Sequence, residues 1–219
     1  MTTDTERQNL TTPRATGLVL HAAAFYDFTV WLATFGRERA FRQRIIELAR
    51  LEPGHSVLDV GCGTGTLAIA AKRHVGSTGT VNGIDASPEM IARAERKAGK
   101  AGVEVAFTNA AAQALPFPDA HFDSFLNTLM LHHLPRKARE QCAREIRRVL
   151  KPGGRVLAVD FAIPARETKG FLAHFHRHGH TSPQEMIAML SEADLNTVES
   201  GAVGIRDMQF VLAVAPGGA

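Results

Sequence analysis

Three glycines, Gly61, Gly63 and Gly65, fall within five residues directly after the short apolar run at residues 57–60. Glycine tolerates backbone conformations and close approaches that a side chain would block. A loop that leads from a strand into a helix exposes backbone N–H groups at the helix N-terminus, where anionic ligand groups bind. This stretch therefore predicts a ligand-binding loop between a strand and the helix that follows it.

Short β-rich runs alternate with helical candidates along the middle of the chain. The runs cover residues 57–60, 81–85, 103–107, 122–127 and 155–161. The helical candidates between them cover residues 66–74, 88–99 and 135–150. Alternation of this kind predicts a parallel sheet with helices on both faces.

The end of the chain follows a different pattern. Residues 183–193 predict a helix, and residues 197–203 and 208–213 predict two strands. Their link is too short for a parallel crossover, so the two strands form a hairpin. We therefore expect an α/β fold: a Rossmann-like, doubly wound, mostly parallel seven-stranded sheet with an antiparallel C-terminal hairpin strand and helices on both faces.

Domain organisation follows from length and polarity. Residues 1–16 are polar and are interpreted as a mobile tail before a single domain at residues 17–219. Residues 17–35 approach the length of a membrane span, but Asp27 makes burial in hydrocarbon costly. We predict a helical segment at residues 17–50 and no transmembrane segment. Peripheral membrane contact stays open, as does the choice between monomer and homodimer.

Composition narrows the partners and the compartment. The formal net charge is +3, and its 25 basic and 22 acidic residues are scattered, which disfavours a nucleic-acid partner. The two cysteines, Cys62 and Cys142, lie far apart in the sequence. Such sparse cysteines suit a reducing compartment better than a disulfide framework, so we expect a cytoplasmic protein.

Glycine spacing distinguishes this loop from a dinucleotide site. The dinucleotide fingerprint needs a third glycine at position 66, which is Thr66 here. Asp85 ends the second predicted strand, where a carboxylate can accept both hydroxyls of a ribose. A plain tight turn stays the alternative for the loop. A cap of the helix that begins after Ser87 stays the alternative, or an additional role, for Asp85.

Four segments carry a family resemblance. VLDVGCGTG, GIDASPEM, ALPFPDAHFDSF and EIRRVLKPGGRVLAVDF occur in the order and spacing of class I S-adenosylmethionine (SAM)-dependent methyltransferases, which the chain resembles over residues 37–161. It is most similar to the small-molecule branch with the ubiquinone/menaquinone-biosynthesis C-methyltransferases and the bacterial phospholipid N-methyltransferases. The resemblance implies SAM as cofactor and in-line methyl transfer to a small, apolar or ring-bearing acceptor. It also implies that the helical segment at residues 17–50 forms the entrance to the site.

The same resemblance assigns cofactor contacts position by position. Those near the amino-acid end of SAM are Asp59, Gly61, Cys62, Gly63 and Gly65, flanked by Asn127 and Thr128. Asp85 matches the ribose-binding acid, and the adenine positions are Ala86, Met90, Ala111 and Ala112. One position departs from the family, which usually has Asp or Asn where this chain has Ala111. Asn109 can replace that side-chain acceptor only if the loop is re-registered.

Catalytic candidates depend on whether the acceptor loses a proton. If it does, a general base is needed. His132, His133 and Tyr26 are the candidates, although each histidine can equally pack or hydrogen-bond locally and Tyr26 can simply contact SAM or the acceptor. The histidines at positions 174–180 lack neighbouring cysteine or carboxylate ligands, so no metal site is expected there. These histidines are predicted either to lie on a lid over the acceptor or to lie on a solvent-exposed helix.

Two rival functions are weighed. An RNA or protein methyltransferase is expected to carry an added binding domain, a basic stripe or an Asn-Pro-Pro-Tyr motif, where this chain has NTLM at residues 127–130. A SAM-fold protein that binds cofactor without methylating, such as a cyclase or a regulator, is favoured only by Ala111.

Overall fold

A computed structural model describes residues 38–161, 181–205 and 207–217. In chain order the elements are α1 Glu38–Leu48, β1 Ser56–Val60, α2 Thr66–Val75, β2 Thr80–Asp85, α3 Pro88–Ala101, β3 Ala106–Asn109, β4 Phe122–Thr128, α4 Arg136–Val149, β5 Leu150–Phe161, α5 Pro183–Glu192, β6 Asn196–Ala202 and β7 Met208–Val214. A 3₁₀ turn at Leu131–His133 lies between β4 and α4. Within the described ranges, no helix is both long and apolar enough to cross a bilayer. The predictions for the tail, for Tyr26 and for the histidines at positions 174–180 lie outside these ranges.

The seven strands form one sheet in the order β3-β2-β1-β4-β5-β7-β6. Strands β1 to β5 run parallel, and β7 runs antiparallel to both of its neighbours. The predicted mostly parallel sheet with an antiparallel hairpin strand is therefore confirmed. The chain passes from β1 to β2 on one side and later places β4 on the other side. The carboxyl end of β1 thus lies at the switch point, where ligands bind in sheets of this type.

Each face of the sheet has its own apolar core. Phe41 of α1 packs on one face together with residues of α2. Ile146 of α4 and Met186 of α5 pack on the other face. Successive strand residues point to opposite faces, so Val57 belongs to the first core and Leu58 to the second. The two cores hold the strand ends, and the loops that follow them, in fixed positions.

Two predicted boundaries are wrong. The third strand begins at Ala106 and not at residue 103, because the Val103 N–H donates to the carbonyl of Ala98 and closes the C-terminus of α3. Gly102 there has φ +61°, which is typical of such a helix end. Leu150 belongs to β5 and not to the preceding helix, since it has an extended backbone and pairs with Phe122.

Candidate functional site

The glycine loop after β1 folds back against the end of β2. The N–H groups of Gly61 and Cys62 both donate to the carbonyl oxygen of Ile84 at 2.9 Å. Gly61 has φ +74°, and a Cβ atom there would lie 2.7 Å from Cγ of Met130. Gly65 has φ +77°, and its Cβ atom would lie 2.8 Å from neighbouring side chains. Backbone conformation and lack of space therefore both require glycine at these two positions.

Asp85 faces this loop from the end of β2. Its Oδ2 accepts the Gly63 N–H at 2.9 Å, and its Oδ1 accepts the Ser87 N–H at 2.9 Å. Burial raises the pKa of Asp85, and these backbone donors oppose that rise. An ionised carboxylate has about four acceptor positions, so positions are left for ligand hydroxyls. The cap of α3 is Ser87, whose hydroxyl accepts the Met90 N–H at 3.3 Å, while Asp85 accepts the N–H of Ser87 itself. The ribose contact of Asp85 stays a prediction.

Buried polar groups without hydrogen-bond partners flank the end of β1. Both carboxylate oxygens of Asp59, both amide atoms of Asn127 and Nε of Arg42 have none among the described residues. Asp59 is 1% exposed and Asn127 is 0% exposed. The β1–β4 register pairs Val60 with Asn127, which puts Asp59 and Asn127 on opposite faces of the sheet. Buried groups of this kind are costly unless a ligand supplies the missing partners.

Asp59 and Arg42 form the charged part of this site. Burial raises the pKa of Asp59 to about 7; the charge of Arg42 opposes this rise, and the charge of Asp85 adds to it. A ligand ammonium group would stabilise the ionised carboxylate. The first turn of α2 has no side-chain cap, so its N–H groups can receive a ligand carboxylate. Together with the acceptor positions left on Asp85, this arrangement fits an amino acid joined to a ribonucleoside.

Lys97 of α3 holds the glycine loop in place through hydrogen bonds to two threonines. Its ammonium group donates to Oγ1 of Thr64 at 2.7 Å and to Oγ1 of Thr66 at 2.9 Å. Sequence reasoning missed both Thr64 and Lys97. The only sequence signal for Lys97 is its helical spacing from Ala94. Ala94 lies one turn earlier on the same face of α3 and packs next to Gly65, so Lys97 lies on the helix face that meets the loop.

The predicted adenine positions follow the ends of β2 and β3 along the chain. Met90, Ala111 and Ala112 are buried, and Ala86 is half-buried. Asn109 lies in β3 beside Asp85, and its amide nitrogen donates to the backbone oxygen of Asp85 at 2.8 Å. These four side chains are apolar, and adenine contact by them stays a prediction.

Arg148 and Glu145 of α4 anchor the loop that carries these alanines. The Arg148 guanidinium donates to the carbonyl oxygens of Phe117 at 2.7 Å and Leu115 at 3.0 Å. Glu145 accepts the Leu115 N–H at 2.7 Å and pairs with Arg148. These contacts keep the pKa of Glu145 low, so the pair stays charged near neutral pH. The LPFPD stretch is thereby fixed to α4.

The segment after β4 combines backbone strain with a buried contact between a histidine ring and a carboxylate. Leu129 has φ +57°, an unfavourable conformation for leucine, and its N–H donates to the Val159 carbonyl at 2.8 Å. In the 3₁₀ turn that follows, Nδ1 of His132 lies 2.7 Å from Oδ1 of Asp160. Strain of this kind clusters at functional sites. Neither Leu129 nor Asp160 could be singled out from the sequence, since no residue pattern marks a leucine with positive φ.

The predicted residues are thus brought to one edge of the sheet, at the carboxyl ends of the parallel strands. Thr128 ends β4 on this edge, and His132 and His133 follow it directly. Cys62 is buried in the glycine loop, and burial raises the pKa of its thiol, which keeps it neutral. Tyr26 lies outside the described residues.

Comparisons with known proteins agree with this arrangement. The family model "Methyltransferase domain" matches residues 57–154. The ubiquinone/menaquinone biosynthesis C-methyltransferase UbiE of Shewanella frigidimarina is 36% identical over 152 residues, which cover 68% of this chain and 60% of that protein. The UbiE protein of Yersinia enterocolitica is 34% identical over 189 residues, which cover 83% of this chain and 73% of that protein. The chain thus spans about 60% of the length of several curated relatives it matches.

A solved structure extends the similarity to the fold. A SAM-dependent methyltransferase from Aquifex aeolicus superposes with a TM-score of 0.69 at 25% identity, covering 79% of this chain and 88% of that one.

Proposed function

Because the chain belongs to the class I SAM-dependent methyltransferases, we propose that it transfers a methyl group from SAM to a small-molecule acceptor. The observation that carries this proposal is the edge where β1 and β2 end. There, Asp59 has unpaired carboxylate oxygens and Asp85 has acceptor positions left over beside a tight glycine loop. When bound, SAM supplies a methyl group on a sulfonium, whose sulfur leaves with the bonding electrons.

The residues of this edge have distinct tasks in the proposed site. Asp85 holds the ribose hydroxyls, and Asp59 holds the ammonium group, while Arg42 and the first turn of α2 hold the carboxylate. Ala86, Met90, Ala111 and Ala112 provide an apolar wall for the adenine ring. Binding fixes the reacting geometry and excludes water, which is the protein's main contribution to a displacement reaction.

The acceptor binds beyond the ends of β4 and β5 in this proposal. His132 and His133 lie there, and Tyr26 of the entrance segment is a third residue proposed to contact the acceptor or SAM. The relatives named above are quinone-biosynthesis C-methyltransferases, and an apolar, ring-bearing acceptor such as a quinol is our proposal for this chain. Both cysteines are free and buried, and we propose a cytoplasmic location.

A second function rests on one observation. Ala111 is buried without a polar side-chain atom, and the amide nitrogen of Asn109 is engaged by the backbone. The loss of one hydrogen bond costs about 0.5–1.5 kcal/mol. That weakens adenine binding only modestly, so a protein that binds SAM without methylating is the less favoured alternative.

Calorimetry with S-adenosylhomocysteine tests the cofactor half of the proposal. Asp85→Ala removes two charge-assisted hydrogen bonds to the ribose, each worth about 1.5–3 kcal/mol, so binding weakens by about 100-fold or more. Asp194→Asn, a change of one exposed carboxylate, is the matched control and binds as the wild type does. Binding by Asp85→Ala within about twofold of wild type would refute this assignment.

Activity assays test the acceptor half. The purified protein is incubated with SAM and, in separate reactions, a dihydroxynaphthalene, a phospholipid amine, a simple phenol, a sugar and a transfer RNA. Release of S-adenosylhomocysteine with the dihydroxynaphthalene or phenol is expected. Turnover of the sugar or the RNA alone would overturn the proposed acceptor class, and no turnover with intact SAM binding favours the non-methylating alternative.

A further inference from the structure

We propose that His132 and Asp160 form a catalytic dyad, in which His132 takes a proton from the acceptor and Asp160 positions the imidazole. This inference rests on the proposed methyl transfer. It assigns a role to Asp160, which no sequence pattern had marked. His132 is the catalytic residue of the pair because its ring would touch the acceptor, and Asp160 acts through His132.

Asp160 is built into the fold as a fixed acceptor. Its side chain is 0% exposed at the end of β5. Oδ2 accepts the His132 N–H at 3.0 Å, and Oδ1 accepts the Phe161 N–H at 2.8 Å as well as facing Nδ1 of His132 at 2.7 Å. Three donors thus surround one carboxylate. Backbone N–H groups can only donate, so each oxygen of this carboxylate is held as a hydrogen-bond acceptor.

This acceptor determines which nitrogen of His132 carries the proton. With Oδ1 as the partner, Nδ1 is the protonated nitrogen in the neutral ring, and Nε2 keeps its lone pair. In the described part of the chain, no residue makes a hydrogen bond to Nε2. The lone pair is therefore available to a ligand. Once Nε2 has accepted a proton, the buried carboxylate stabilises the resulting imidazolium.

The backbone places this ring at the edge where SAM and the acceptor are proposed to meet. The strained Leu129 turns the chain at the end of β4, and Met130 then lies directly over Gly61 of the cofactor loop. His132 is two residues further along and belongs to the same 3₁₀ turn as His133. The turn thereby links the cofactor loop to the dyad through a single short segment.

Asp160 and His133 are titratable groups that lie against the His132 ring. Oδ1 of Asp160 lies 2.7 Å from Nδ1 of His132, and the two histidine ring centroids lie 3.9 Å apart. The aromatic ring of Phe161 lies at 5.9 Å. Gln209 of β7 pairs with Asp160 and carries no charge.

The proposed step is a balanced proton and methyl transfer. The acceptor's carbon–hydrogen or oxygen–hydrogen bond breaks, and the proton moves to Nε2 of His132. The electron pair left on the acceptor forms its new bond to the methyl carbon, while the electrons of the broken carbon–sulfur bond stay on sulfur. The imidazolium then returns its proton to water. The dyad is thus useful to an acceptor that must lose a proton, such as a phenol or an activated ring carbon.

Nuclear magnetic resonance on the cofactor-free protein provides a test that needs no acceptor. Two-bond nitrogen–proton correlations identify the protonated nitrogen, and His132→Gln assigns the signal. We expect the tautomer with the proton on Nδ1, with that proton shifted to low field by the Asp160 hydrogen bond. A neutral ring protonated on Nε2 would overturn the dyad whatever the activity measurements give.

Kinetics with SAM and the dihydroxynaphthalene provide the second test. Loss of the base in His132→Gln lowers kcat/KM by about 100-fold or more, with S-adenosylhomocysteine binding unchanged. In Asp160→Asn the imidazolium loses its counter-charge, so the acid limb of the pH–rate profile moves to lower pH and kcat falls. His121→Gln and Asp194→Asn change exposed side chains and serve as matched controls with wild-type profiles.

The outcomes separate the dyad from the proposed function. Failure of the wild-type protein to bind S-adenosylhomocysteine would overturn the proposed function, while the tautomer of His132 could still be determined. A wild-type enzyme that methylates, together with an Asp160→Asn variant that keeps its acid limb and its kcat, would overturn the dyad alone. If Asp160→Asn does not fold, His132→Gln decides: wild-type kcat/KM in that variant overturns the dyad.

Discussion

The buried carboxyl group of Asp59 makes the stability of the cofactor-free protein depend on pH in an unusual direction. Its pKa is raised from 3.8 to about 7, chiefly by burial. Between these two values the folded protein binds a proton that the unfolded chain has released. Folding stability therefore falls as pH rises through this window, contrary to the behaviour of a carboxylate held in an ion pair.

The size of the effect follows from the width of the window. One pKa unit corresponds to about 1.36 kcal/mol, so from about pH 5 to about pH 8 the Asp59 contribution to the unfolding free energy changes by about 3 kcal/mol. Asp59→Asn removes the titrating group and keeps the shape of the side chain. We expect the variant to gain about that much stability relative to wild type across the interval.

Urea unfolding of both proteins at several pH values measures this difference. Taking the difference cancels the other titrating groups, including Asp123 and Glu145, whose lowered pKa values give the opposite slope. Asp194→Asn, at an exposed position, is the control and its difference from wild type stays flat. A stability difference between Asp59→Asn and wild type that does not change with pH would refute the reasoning. So would a change of the opposite sign.

The same carboxyl group couples cofactor binding to proton release. A ligand ammonium beside Asp59 favours the ionised form, so S-adenosylhomocysteine binding below about pH 7 expels a proton. Calorimetry in two buffers with different ionisation enthalpies measures the released protons, and Asp59→Asn is expected to release fewer. Equal release by both proteins would place the ammonium group away from Asp59.

Three further predictions concern the scaffold and are checked by urea denaturation. Gly65→Ala is expected to destabilise the protein by about 2–4 kcal/mol, because the residue has φ +77° and the new Cβ atom would lie 2.8 Å from the Phe107 ring. Arg148→Met, which removes the donors that hold the LPFPD loop, is expected to cost about 2 kcal/mol, whereas the exposed Arg144→Met changes little. Ser182→Ala breaks the capping box of α5 and is expected to cost about 1 kcal/mol. A loss below about 0.5 kcal/mol in any of the three would contradict its structural explanation.

The fold was predictable because its signals are local and agree with one another. The alternation of β-rich runs with helical patterns, and the short link before β7, were enough to predict the parallel sheet and its antiparallel strand. The boundary of β3 was not, because the Val103 N–H closes a helix end and that role depends on which carbonyl lies nearby. Leu150 was misplaced for a similar reason, since its pairing with Phe122 joins distant parts of the chain.

The sequence predicted which residues lie at the site but not which side chains contact one another there. The glycine loop and Asp85 are marked by spacing alone. Lys97 and Asp160 act through contacts between segments far apart in the sequence, and a lone lysine on a helix or an acid near a strand end has many ordinary roles. Their importance emerges only when packing shows what each side chain touches.

The strand order has a consequence for how such a protein could be retargeted. The groups proposed to bind SAM come mainly from residues 59–112, around β1 and β2, whereas the groups proposed to meet the acceptor, apart from Tyr26, come from residues 129–161, around β4 and β5. On the proposed function, the two halves of the site are encoded by separate stretches that meet only at the centre of the sheet. Replacing residues 129–135 with those of a relative that has another acceptor would then change the acceptor specificity and leave the binding of SAM unchanged.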